Sequence, residues 1–362
     1  MKKILLRIFG TILFLAIAGG SWWLLIDSRP PAKRPDLVRV PAELGPPPEG
    51  YATENMIFAA FGLQELGLYD MELIDRDVAA LPVPTGVIEE TDVVYGTGGG
   101  QELALDLYYP EGLRAPVPAI IFIHGGGWRS GKRQDYKLYT TQFAQMGYVV
   151  ATVSYRLRAD GYFPNCVEDV KCAVRWMRAN AGRLNIDDER MAVIGGSAGG
   201  HLAMMVGFAS DVPEFEGRGG NEGVSSSVAA VIDIYGPTDF TTGPNRNHSL
   251  LTNFMQGTYE EFPEKFRKGS PLFYVDADDP PTLIIHGTVD SLVPVRQSDL
   301  LAEKFQELGN YYWYDRLDGW PHAMDVSQVV NDRVVTVTTA FLEEVFGGPT
   351  PKATAELAAP TE

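Results

Sequence analysis

The chain has 362 residues, 45% of them apolar, which is enough for one large folded domain or two small ones and too many for wholesale disorder. Its formal net charge of −17 repels polyanions, which excludes nucleic acid as a natural partner but says little about neutral substrates. Cys166 and Cys172 provide neither a disulfide framework nor a zinc cluster. On one helix they would stand about 9 Å apart, beyond the roughly 7 Å a disulfide tolerates, so they read as free, partly buried thiols.

In chain order, Lys2, Lys3 and Arg7 precede an uncharged run over residues 8–26 that ends at Asp27, Arg29 and Pro30. As a helix this run is about 28 Å long, close to the hydrocarbon thickness of a bilayer. Residues 1–29 are expected to be an uncleaved signal anchor, with Trp22 and Trp23 at the interface. Ala16-Ile17-Ala18 keeps a cleaved signal peptide open as the alternative. Either way the rest of the protein is expected to be exported. It would be held at the membrane by this helix, on the periplasmic side in a Gram-negative cell, or secreted after cleavage.

Residues 30–49 hold seven prolines and read as an extended linker. Residues 50–85 read as a helical extension, its helix over 54–70 carrying Met56, Phe58, Phe61, Leu63 and Leu66. The main domain is expected over 86–346. Strands at 87–95 and 103–109 flank a glycine-rich turn at 96–100, and the continuous apolar run 117–123 suits a strand buried on both faces. Strands at 148–155, 191–194, 229–234, 282–285 and 311–317 then alternate with helices at 138–146, 167–180, 198–209, 295–308 and 328–346. This pattern predicts an α/β fold with a mostly parallel, eight-stranded sheet covered by helices on both faces. Residues 241–275 read as a small lid insertion, and 347–362 as a disordered tail.

Gly195-Gly196-Ser197-Ala198-Gly199 joins an expected strand to an expected helix. That is the context of a nucleophile elbow, in which glycines two positions either side of the serine relieve a tight turn. About 70 residues earlier, His124-Gly125-Gly126-Gly127-Trp128 closes the buried strand. Consecutive glycines let backbone N–H groups face inward, which is what a developing oxyanion needs. Gly126–Lys132 also fits a phosphate-binding loop, but Arg133 stands where that loop needs a magnesium-binding hydroxyl.

Of five histidines, His124, His201 and His286 read as supporting residues, and His248 lies in the insertion with no partner visible in the sequence. His322, in the loop after the last strand, lies at the same strand ends as Ser197 and is the expected base. Asp290 follows the preceding strand and supplies the carboxylate. The order Ser197, Asp290, His322 is that of an elbow-type hydrolase. Asp276, Asp278 and Asp279 lie at the wrong strand end, and Asp318 and Asp325 are too close to His322 in sequence.

With HGGGW at 124–128, SYR at 154–156, GGSAGGHLA at 195–203, HGTVDSLVP at 286–294 and GWPH at 319–322, the chain resembles α/β-hydrolase esterases and lipases. The likeness is strongest to the branch of the bifunctional feruloyl and acetyl-xylan esterases, and weaker to the hormone-sensitive-lipase-like carboxylesterases. The resemblance implies Ser197 as nucleophile, Asp290 as acid and His322 as base. It also implies the backbone amides of Gly126, Gly127 and Ala198 as oxyanion hole. Gly196 departs from the lipase-like pattern, which has an acidic residue there. The implied reaction is hydrolysis of a small-molecule or glycan-linked ester through an acyl-enzyme, with no metal or organic cofactor. Trp128, Tyr235, Phe240 and Trp320 flank the expected site, either as pocket walls or as ordinary core aromatics. A serine peptidase of prolyl-oligopeptidase type and an inactive α/β-hydrolase serving as a binding module are the alternatives.

Overall fold

In the computed structural model, residues 32–50 and 78–349 are described, so the expected anchor (1–29), the expected helix at 54–70 and tail residues 350–362 lie outside the described residues. Among the described residues no helix is long and apolar enough to cross a membrane. The strands are β1 (Val87–Gly98), β2 (Gln101–Pro110), β3 (Val117–Ile123), β4 (Val149–Val153), β5 (Ile186–Gly196), β6 (Ala230–Ile234), β7 (Thr282–Gly287) and β8 (Tyr312–Leu317). They form one eight-stranded sheet in the order β1-β2-β4-β3-β5-β6-β7-β8. β2 runs antiparallel to both its neighbours, and every later pair is parallel.

Alternation along β3 shows how the sheet is covered. Val117, Ala119, Ile121 and Ile123 face one core layer, while Ile120 and Phe122 face the other. The first layer is roofed by α2 (Asn165–Ala179), α4 (Ala198–Phe208) and α7 (Arg296–Leu308), the second by α1 (Lys137–Gln145) and α8 (Gln328–Phe346). Shorter helices are α3 (Ala181–Leu184), α5 (Ser249–Met255) and α6 (Pro263–Lys268). Every residue of α4 is buried, which fixes the helix behind the serine on all sides. Cys166 and Cys172 are free thiols, both fully buried rather than partly so.

Two expectations need revision. The strand expected at 191–194 begins at Ile186, because Ile186 pairs with Val117 and the polar segment 187–190 is accommodated as a register irregularity before Met191 pairs with Ala119. Residues 32–49 of the expected linker contain a short 3-10 helix (Ala42–Leu44) and are docked rather than free. Leu37 is fully buried, and Arg39 bridges Tyr314 at the outer edge of the sheet.

Candidate active site

At the end of β5 the chain reverses into α4 with no room for side chains. A Cβ on Gly195 would lie 2.3 Å from the Gly199 carbonyl carbon, and one on Gly199 would lie 2.0 Å from the Ile123 carbonyl oxygen. Ser197, at the apex, takes φ 57° and ψ −121°. Such backbone costs about 1–3 kcal/mol and persists only where the surroundings enforce it. Here the Ser197 N–H donates to the Ile234 carbonyl at 2.9 Å, tying the elbow to β6.

His322 reaches Ser197 from the loop after β8. Its Nε2 is 2.9 Å from Ser197 Oγ, and its Nδ1 is 2.6 Å from Asp290 Oδ2. An ionised carboxylate only accepts, so Nδ1 carries the proton and Nε2 offers its lone pair to the serine hydroxyl. Asp290 is buried and fully engaged. Its Oδ1 accepts from the N–H groups of Leu292 (2.9 Å) and Val293 (2.8 Å), and its Oδ2 also faces His286 Nε2 at 3.2 Å. Burial disfavours its charge, yet the nearby His322 charge and the hydrogen bonds from His286 and His322 outweigh that and hold the carboxyl down to about 2.

The glycine loop lies beside the serine. Gly126 and Gly127 have φ 109° and 61°, and a Cβ on Gly125 would come within 2.8 Å of the Gly196 carbonyl oxygen. Ser130 Oγ donates back to the Gly126 carbonyl at 2.9 Å, so the resemblance to a phosphate loop ends in a closed turn. Ala198 opens α4, where the first N–H groups have no acceptor within the helix.

The other histidines brace this arrangement. His124 stacks on Tyr155, with ring centroids 4.4 Å apart. His201 accepts from Trp128 Nε1 at 3.2 Å and donates through Nε2 to the Gly269 carbonyl at 2.8 Å. Burial pushes its imidazole down to about 4, so it stays neutral. His286 donates through Nε2 to the Val293 carbonyl (2.9 Å), which fixes its tautomer, while Ser298 Oγ stands 2.7 Å from Nδ1. His248 caps α5.

A cavity of about 410 Å³ opens onto Ser197. One wall is the insertion at 241–275, with Asn245, Arg246, His248, Leu250 and Leu251; the other is Leu292, Val293 and Pro294, and Trp128 and Phe240 contribute as expected. Tyr235 and Trp320 do not line it and are buried aromatics, the other of the two expected roles. The Tyr235 backbone turns at φ 46°; its ring stands 4.7 Å from that of His322, and its hydroxyl donates to the buried Asp325 carboxylate. Trp320 is only 3% exposed and donates through Nε1 to the Pro48 carbonyl at 3.0 Å. Among the described residues no group of three or more His, Cys, Asp or Glu side chains is placed to hold a metal ion.

Sequence reasoning missed Tyr136 and weighed Asp325 only as a candidate acid, whereas both are polar groups behind the elbow. It also missed the leucines of the insertion, whose apolar pairing Leu250-Leu251 was the available signal.

The profile of the BD-FAE family matches residues 105–305, more than half of the chain. The chain belongs to the BD-FAE family. Esterase LipC of Mycobacterium tuberculosis is 33% identical over 243 residues, which cover 65% of this chain and 59% of LipC. A truncated carbohydrate esterase from gut microbiota superimposes with a TM-score of 0.61 at 28% identity, covering 70% of this chain and 96% of that one. A thermophilic esterase from the planctomycete Thermogutta terrifontis gives a TM-score of 0.64 at 27% identity, covering 76% of this chain and 99% of its own. The match spans about 59–63% of the length of the curated relatives LipC, LipQ and the probable carboxylic ester hydrolase LipM.

Proposed function

We propose that this BD-FAE member is a serine carboxylic-ester hydrolase acting on small acyl or aryl esters. The observation that carries the reading is the unbroken chain of contacts from Ser197 Oγ through His322 to a buried, ionised Asp290, at 2.9 and 2.6 Å. Ser197 attacks the ester carbonyl as His322 Nε2 takes its proton, and Asp290 stabilises the resulting imidazolium. The amides of Gly126, Gly127 and Ala198 receive the oxyanion; one donor in a comparable site is worth about 3–4 kcal/mol. His322 then protonates the departing alcohol, and water repeats the sequence on the acyl-enzyme.

Esterase names among the relatives support the bond type. The apolar character of Leu250, Leu251, Leu292 and Val293, together with a volume of about 410 Å³, favours a short acyl or single-ring group over a long lipid chain. The Thermogutta esterase has been seen with butyrate and with propionate bound, which fits the same size class. The deciding experiment is covalent labelling by a fluorophosphonate and turnover of p-nitrophenyl butyrate, both lost in Ser197→Ala. Folded wild-type protein that neither labels nor turns over would end the ester-hydrolase reading, and cleavage of peptides but not esters would replace it with a peptidase.

A further inference from the structure

Residues 32–50 lie outside the stretch matched by the family profile, 105–305. They run along the free edge of the sheet toward the histidine loop. Arg316 donates to the Ala32 carbonyl at 3.0 Å, and Arg39 and Tyr314 exchange both backbone hydrogen bonds at 3.2 Å. Arg333 on α8, itself paired with Asp315 at 2.8 Å, donates to the Leu44 carbonyl at 2.7 Å. The segment then reaches Trp320, whose Nε1 donates to the Pro48 carbonyl at 3.0 Å. Gly50 sits against the same loop so closely that a Cβ there would lie 2.2 Å from the Asp318 carbonyl oxygen and 2.8 Å from Trp320 Cδ1.

Trp320 is two residues before His322 and is also joined to the acid loop. Its carbonyl accepts from the Val289 N–H at 3.1 Å, next to Asp290, and a Cβ on Gly287 would lie 2.1 Å from that oxygen. The main chain of Trp320 therefore rests on the acid loop, while its side chain is held by the N-terminal segment.

We infer that residues 32–50 position the His322 loop, with Trp320 as the positioning residue through which they act. The inference rests on the ester-hydrolase reading of His322. Proline-rich chain suits the task, because it offers carbonyl acceptors on a stiff backbone, and Pro46, Pro47 and Pro48, where the segment meets Trp320, carry no amide donor that would need a partner of its own.

The test uses the full chain carrying Trp320→Phe, which keeps a buried ring but loses the donor to Pro48, and Gly50→Ala, which forces the segment away from Asp318. Steady-state turnover of p-nitrophenyl butyrate, its pH profile and thermal unfolding are measured for each. Misplacement of the base should lower kcat about tenfold with KM held within about twofold, and should move the acidic limb of kcat/KM by about half a pH unit. The double variant should be no worse than the poorer single one, because both act on one contact. Wild-type kcat and an unmoved limb in Trp320→Phe would overturn the inference even if the melting temperature fell. That variant decides alone if Gly50→Ala is too unstable to assay. Ser197-dependent turnover by the wild type in the same assay separates failure of this inference from failure of the hydrolase reading.

Discussion

The glycine before the serine is where this chain departs from the hormone-sensitive-lipase-like pattern, and Tyr136 accounts for the departure. A Cβ at Gly196 would lie 2.6 Å from the Tyr136 hydroxyl oxygen, 3.1 Å from the Tyr235 hydroxyl and 3.3 Å from Tyr235 Cε2. Ordinary contact needs about 3.5 Å, so Gly196→Ala requires Tyr136 to retreat by about 1 Å. Retreat is opposed by Phe122 and Tyr139, whose rings stand 5.4 and 5.8 Å from that of Tyr136. Overpacking of this kind costs about 1–3 kcal/mol, which at this domain size lowers the melting temperature by roughly 2–6 °C. If part of the strain moves the elbow instead, turnover falls about tenfold as Ser197 shifts against His322. The assay is a double-mutant cycle with Tyr136→Phe, read by thermal unfolding and by p-nitrophenyl butyrate hydrolysis. Removing the hydroxyl should recover most of the loss, with a coupling of about 1 kcal/mol or more. Wild-type stability and rate in Gly196→Ala, or an equal loss in the Y136F background, would refute the packing argument.

Asp290→Asn should reduce kcat on the order of 10³–10⁴-fold, since the amide cannot stabilise an imidazolium, as measured by p-nitrophenyl butyrate turnover. Its carboxyl is held at about 2 against an ordinary 3.8. A depressed value contributes stability that is present above the unfolded pKa and lost as pH falls through the folded one. About 2 kcal/mol should therefore disappear between roughly pH 4 and pH 2, and melting curves of Asp290→Asn should lack that step. Leu250 forms the cavity wall so close to the glycine loop that a Cβ on Gly127 would lie 3.1 Å from it. Leu250→Trp should keep acetate hydrolysis within about twofold while lowering hexanoate hydrolysis about tenfold; an ester-length series checks this.

Much of this architecture was legible because burial leaves a strong mark. The apolar run of β3 and the order of Ser197, Asp290 and His322 after β5, β7 and β8 required no knowledge of tertiary contacts. The first half of β5 was illegible, since Asp187, Asp188, Glu189 and Arg190 fall in a register irregularity between the paired Ile186 and Met191 and keep polar side chains out of the core. Residues 32–50 misled for a different reason. Their prolines signal extended chain, but docking by accepted hydrogen bonds at Leu44, Gly45 and Pro48 leaves no periodic trace. Tyr235 and Trp320 were placed at the right strand ends but on the wrong side, because side-chain direction there follows a positive φ in one case and a distant carbonyl in the other.

The two cavity walls differ in their freedom to change. Leu292 and Val293 face the cavity, yet their amides also hold Asp290, and the Val293 carbonyl holds His286. Divergence on that side would reshape the cavity and disturb the contacts that hold Asp290 and His286 together. The opposite wall, over 241–275, supplies none of Ser197, His322 and Asp290, and its Asn245 donates to the Ser291 and Leu292 carbonyls of the acid loop. New substrate preferences in this lineage should therefore accumulate in the insertion, leaving the acid loop nearly unchanged.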